Sequence, residues 1–179
     1  ATTEIYTLSL HDALPISCPY CKVGGEINNS ILMGYSNKGH EGFLGNSVIG
    51  EWCNLGADTN NSNLKNNYSN IRIWDYTTQD YIDTGLQFFG LVMGDFSKTA
   101  INSQFNTGTI IGVSANVFES GFPPKYIPSF SWGGGKNSER FDLEKSYESA
   151  SKMMERRKKI LTEGDKSILK NIFIKAIDY

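Results

Sequence analysis

The sequence predicts a mainly β chain, a parallel solenoid wound from six-residue steps and followed by an α-helical tail. Two observations carry that expectation. The first is a period of six. Counted from Ile49 the chain reads IGEWCN, LGADTN, NSNLKN, and from Met93 it reads MGDFSK, TAINSQ, FNTGTI, IGVSAN, VFESGF. The second is a change of rhythm after residue 138, where apolar residues fall at the three- and four-residue spacing of amphipathic helices.

The hexads have a physical logic. The first position holds Ile49, Leu55, Met93, Thr99, Phe105, Ile111 and Val117. The second is mostly small, as at Gly50, Gly56, Gly94, Ala100 and Gly112. The fifth is small at Cys53, Thr59, Ser97, Ser103, Thr109 and Ala115. One apolar side chain from each flat segment enters a central core, and the small residue fits beside it. Gly or Asn after it suits a bend through left-handed backbone. Three segments make a triangular coil of about 18 residues, and coils stack as parallel strands that bury one another's faces. The competing architecture is a β-sandwich, which needs period-two alternation and hairpin turns.

Residues 1–17, ATTEIYTLSLHDALPIS, show neither a basic segment before an apolar run nor a clean apolar stripe, so they read as neither a signal peptide nor a helix. Residues 1–16 can be written in codons that resemble, in frame, the adapter oligonucleotide of short-read DNA sequencing. They are therefore read as a translated artefact with residue 17 as the junction, an upstream region is expected to be missing, and no specific packing of this stretch on the coils is expected. Residues 18–121 form the solenoid. Its repeat lapses over an excursion at 65–88, where NIRIWDY and DYIDTG read as two short strands around TTQD. Residues 122–138, with GFPPKYIPSFSWGGG, read as irregular. Residues 139–179 hold two helices. The first, 141–161, places Leu143, Tyr147, Ala150, Met154 and Leu161 on one stripe after Ser138 or Asp142 as cap. The second, 162–177, carries Ile168, Leu169, Ile172, Phe173, Ala176 and Ile177. The run ERRKKI reads as a solvated face near a helix C-terminus, and the Met pair as packing.

Composition excludes several classes. Lys and Arg total 17 against 19 Asp and Glu, a net charge of −2, which lacks the basic excess of a nucleic-acid binder. No apolar run approaches the ~18 residues of a membrane span, and without a secretion signal the chain reads as cytoplasmic. Asn-x-Ser sequons at Asn28, Asn60 and Asn67 read as chance. Cys18-x-x-Cys21 has zinc-ligand spacing but no second pair follows, so the three cysteines read as stray thiols and no metal site is assigned.

Outside the opening stretch one histidine remains, His40, in GYSNKGHEGFLGNSVIGEWCNLGADT. This run, with GLVMGD, FNTGT, GVSANVF and IPSFSWGG, resembles the C-terminal half of the bifunctional N-acetylglucosamine-1-phosphate uridylyltransferase/glucosamine-1-phosphate N-acetyltransferase family. It is more closely similar to divergent bacterial sugar nucleotidyltransferases that share that domain. The resemblance covers roughly residues 20–175 and implies a left-handed parallel β-helix (hexapeptide repeat) that packs as a homotrimer with sites between subunits. It also implies roles. His40 would be the general base, taking a proton from a sugar amine as that amine attacks the thioester of acetyl-CoA. Imidazole suits the task because it titrates near neutral pH. Asn54 would contact the sugar, Phe43 stands where the family has a Tyr on the sugar phosphate, and Glu26 would match a pocket carboxylate. Asn63 would lie near the acetyl group, and small residues such as Ala100 and Ala115 would let acetyl-CoA approach the backbone. Phe43 and Leu64 replace family tyrosines, and Asn28 aligns with a phosphate-binding Lys. Magnesium would serve only the nucleotidyltransferase half expected upstream.

Two readings follow. The chain is the acyltransferase half of a sugar nucleotidyltransferase, moving acetyl from acetyl-CoA to an amino sugar 1-phosphate in nucleotide-sugar biosynthesis. Alternatively it is a trimerising scaffold for a sugar-1-phosphate nucleotidyltransferase with no acyl transfer of its own. A β-helical carbonic anhydrase needs about three histidines on one metal, and His40 stands alone.

Overall fold

Short parallel strands stack into a β-solenoid followed by two helices in a computed structural model that describes residues 4–9, 16–135 and 138–176. His11 and Ile177 lie outside the described residues. One face is a six-stranded parallel sheet. It runs through Ile16–Ser17, Ile31–Leu32, Val48–Ile49, Leu91–Met93, Thr109–Ile111 and Tyr126–Ile127. A second face runs from Lys22–Asn28 through Asn37–Lys38 and the bridging residue Asn54 to Lys98–Thr99, Asn116–Val117 and Ser131–Gly133. There the chain reverses, and Glu139–Arg140 pairs antiparallel with Ser131–Gly133. The third face joins coils through asparagine side chains. Asn60 Oδ1 accepts from the Phe43 N–H at 2.7 Å, and the Asn61 amide bonds both the N–H and the carbonyl of Gly45.

Every first-position hexad residue is buried, from Ile49 to Val117, and so is every small fifth-position residue. The corners differ from expectation. The left-handed residue is the fourth of the hexad, before the small residue, rather than a Gly or Asn after it. Tyr20, Tyr35, Trp52, Phe96, Ser114 and Phe130 have φ of 55–65°, and each precedes a buried small residue: Cys21, Ser36, Cys53, Ser97, Ala115 and Ser131. Left-handed backbone costs roughly 1–2 kcal/mol for a non-glycine residue. Stacking offsets it. Tyr20 lies 5.1 Å from Tyr35, Tyr35 lies 4.0 Å from Trp52, and Trp52 lies 6.5 Å from Phe96, all near parallel. The small residue closes the corner. Ser36 Oγ donates to Gly50 O at 2.6 Å and accepts from the Cys53 N–H at 2.9 Å. Ser97 repeats the pattern with Gly112 O and the Ala115 N–H.

An antiparallel hairpin, Arg72–Asp75 with Asp80–Asp83, leaves the coils where the repeat lapses. Glu4–Ser9 pairs in parallel with Lys22–Asn28, with a break in register between Ile5 and Leu8. This departs from the expectation that residues 1–17 stay clear of the coils. The pairing engages backbone, which any residue type supplies, along a strand edge whose N–H and C=O groups otherwise lack partners.

Helix α1 is Leu143–Glu155, capped by Asp142, whose side chain accepts from the Lys145 N–H. It ends six residues short of the expected Leu161: Lys158 takes φ 57°, and the cationic run Arg156 to Lys159 forms the connection instead. Helix α2 is Glu163–Lys175, opened by a capping box between Thr162 and Asp165. Both helices lie on the aromatic corner. Trp52 and Phe130 form one buried cluster with Ala150, Met154, Leu161 and Leu169. Phe130 meets Phe173 edge-on at 5.0 Å. Among the described residues no helix is long and apolar enough to cross a membrane.

Phe130→Ala removes a side chain that is 0 % exposed and joins the last coil to α2. Loss of about 3–5 kcal/mol is expected for such a cavity. Urea unfolding measures it, and limited proteolysis should then cut within the tail before it cuts the coils.

Candidate functional site

A cavity of about 600 Å³ opens where the aromatic corner, the second face and the end of α1 meet. Its floor is Tyr35 and Trp52. Its wall is the outward side of the second face, with Asn37 and Asn54 paired across adjacent coils. Gly39 and His40 form one rim, and Met153, Arg156 and Arg157 close it from the tail. Lys22 adds a third cation, and among the described residues no carboxylate lines the space. Asn37 Oδ1 is buried without a hydrogen-bond partner among the described residues.

His40 belongs to a short segment, residues 39–42, outside any strand. Two neighbours shape it. Gly25, at φ +78°, lies beneath, and a Cβ there would fall 2.6 Å from Gly42 O and 2.9 Å from His40 O. Lys38, the first residue before the segment, is 0 % exposed. It occupies the inward column that holds Val23 in the preceding coil. Its Nζ donates to His40 O at 2.7 Å and to Glu41 O at 2.5 Å. Burial pulls this ammonium down to about 8, opposed by the Glu41 and Asp58 carboxylates.

The residues assigned from the sequence divide into groups. His40 and Asn54 share the cavity. Glu26 and Phe43 are register partners on adjoining strands, and the Phe43 ring lies against Gly45 and toward the Asn63 amide. Asn63 donates to Asn46 Oδ1 at 2.7 Å. None of these three lines the cavity with His40. Ala100 packs under Gly56 in the neighbouring coil. Ala115 is fully buried in the core. The tail arginines are the residues that pattern reading missed. The run that holds Arg156 and Arg157 is largely exposed, as a solvated face predicts, and the two arginines also line the cavity because α1 docks with its C-terminal end beside Trp52. The three cysteines form no disulfide, and Cys21 and Cys53 are buried.

No family profile matches the chain. Two curated proteins are similar to part of it. The bifunctional protein GlmU of Methanococcus aeolicus is 33 % identical over 87 residues, 49 % of this chain and 20 % of the relative. The bifunctional protein GlmU of Methanocaldococcus jannaschii is 30 % identical over 87 residues, 49 % of this chain and 21 % of the relative. The aligned stretch thus spans about half of this chain and about a fifth of each relative.

Three groups shifted by burial give the fold a pH signature. Lys38 has a value of about 8 when folded against 10.5 as reference. Between these the unfolded chain holds a proton that the folded chain has lost, so stability rises with pH. Lys98 is lowered by burial in the same sense. Cys53 runs the other way, pushed by burial from 9.0 to about 12. There the folded chain keeps a proton that the unfolded chain loses, and stability falls. Urea titrations should show stability rising from pH 8 to 9 and flattening above. Cys53→Ala should extend the rise toward 10.5, and a wild-type profile that is flat from pH 8 to 9 would contradict the state assigned to Lys38.

Proposed function

We propose that the chain is a GlmU-type transferase domain that moves an acetyl group from acetyl-CoA to the amine of an amino sugar 1-phosphate. The observation that supports this reading best is the composition of one cavity: an imidazole, the Asn54 amide and three cations, with no carboxylate among them. The similarity to two bifunctional GlmU proteins supports it at the level of the domain.

In this reading Arg156, Arg157 and Lys22 attract the phosphate. Guanidinium groups suit that task because their fork of donors fits phosphate oxygens. They would take the place of the Lys that Asn28 replaces. Asn54 holds a sugar hydroxyl. His40 accepts a proton from the amine as its nitrogen attacks the thioester carbonyl. The new C–N bond forms, the C–S bond breaks, and the coenzyme A thiolate leaves to be protonated. Glu26, Phe43 and Asn63 lie apart from His40 in one chain. A homotrimer with sites between subunits would let that second group complete the cavity of a neighbour.

The test is thiol release from acetyl-CoA with glucosamine 1-phosphate. His40→Ala should lower kcat by about 10²–10⁴-fold, the usual worth of general base catalysis. Arg157→Ala should raise KM for the phosphorylated acceptor and leave that for unphosphorylated glucosamine unchanged. Full activity in the His40 variant would remove the base assignment. Absence of release from every amino sugar phosphate would favour the scaffold reading, in which the coils only assemble a nucleotidyltransferase.

A further inference from the structure

We infer that Lys38 is a positioning residue, an internal anchor that fixes the backbone carrying His40 from inside the solenoid. This rests on the reading of His40 as the base, and it concerns a residue that no part of that reading uses.

Lys38 faces inward, in a column that holds Val23 one coil before it. The equivalent inward positions farther along the second face hold Leu55, Thr99 and Val117, all buried. An apolar side chain would fill that place without the cost of removing an ammonium from water. What lysine adds is reach and two directed bonds. Its Nζ leaves the core axis and bonds the carbonyls of His40 and Glu41. Those carbonyls sit in a segment that belongs to no strand and contains Gly42 at φ +106°. Such a segment has little intrinsic rigidity. Gly25 supports it from below only by allowing close approach. The imidazole is exposed at the cavity rim, so side-chain packing does not orient it, and the position of its backbone does. Charged donors make the stronger class of hydrogen bond, and two on successive carbonyls fix both place and tilt of the peptide plane between them.

The charged groups facing Lys38 are the Glu41 and Asp58 carboxylates. When Lys38 loses its proton, the bonds to His40 and Glu41 lose their charge assistance. The segment then loosens and turnover falls, while substrate contacts made by Asn54 and the tail cations persist.

Lys38→Met in the full chain tests this, alongside Ile127→Ala as an equally buried change in a remote coil. Expected for Lys38→Met is a kcat lower by about 10–100-fold with KM within about two-fold, the pattern of a misplaced catalytic group. Ile127→Ala should lower stability and leave both constants unchanged. Wild-type kcat should fall above the pH near 8 at which Lys38 titrates, and the variant should lack that limb. Equal kcat in a folded Lys38→Met would overturn the inference. A second measurement needs neither activity nor a variant. In the wild-type chain the ¹³C shifts of the His40 and Glu41 carbonyls should titrate together with the Lys38 ¹⁵Nζ signal. Carbonyls that ignore the lysine titration would refute the anchor. If no amino sugar phosphate is acetylated but the carbonyls follow Lys38, the acyltransfer reading fails and the anchor stands.

Discussion

The corner on which each coil turns is the constraint that the rest of the structure depends on. A chain that must bend after every two or three extended residues needs left-handed backbone at regular intervals. It also needs a partner for each peptide group that the bend takes out of the sheet. A fourth-position residue at positive φ meets the first need. The small fifth-position residue, often Ser or Thr, meets the second, as Ser36 and Ser97 do with one bond given and one received. Because the same corner recurs in every coil, its side chains stack. Tyr35, Trp52 and Phe96 form a column, and the column is the apolar strip on which α1 and α2 lie. The docking of α1 then places Met153, Arg156 and Arg157 over Asn37 and Asn54. The cavity is thus a late consequence of backbone geometry at single residues.

The charge of the cavity has a similar origin. Along the outward row of the second face, Lys22, Asn37, Asn54, Lys98 and Asn116 follow one another. Positive charge comes from two separate places, Lys22 on the first long strand and the arginines after α1. This convergence is the physical argument for treating the tail as part of the proposed site.

Much of the architecture was legible in the sequence, because burial writes a period. Ile49 to Val117 at six-residue steps and the small fifth residues are fixed by a narrow interior. The identity of the corner residue was not legible. Tyr, Trp and Phe are poor choices for left-handed backbone when taken alone, and only stacking between coils makes them suitable. Their spacing of 16–18 residues, from Tyr35 to Trp52 and from Phe96 through Ser114 to Phe130, was the available signal. The helix end was misjudged for a related reason. Leu161 continues the apolar stripe of α1, but the chain reaches it through a turn at Lys158. His40 and Asn54 were assigned through resemblance, whereas the placing of Lys38 and Arg157 depends on contacts across turns that no local pattern encodes.

The reversal at Glu139–Arg140 has a consequence for the protein as a material. A stack of parallel coils is in principle an open polymer, since each new face offers the same register to another copy. A strand running the opposite way presents its free edge in the wrong sense for a further coil. The guanidinium of Arg140, 3.4 Å above the Phe173 ring, ties that strand to α2. The antiparallel strand therefore covers the edge of Ser131–Gly133, and on that face a further parallel coil finds no neighbour of its own sense to join.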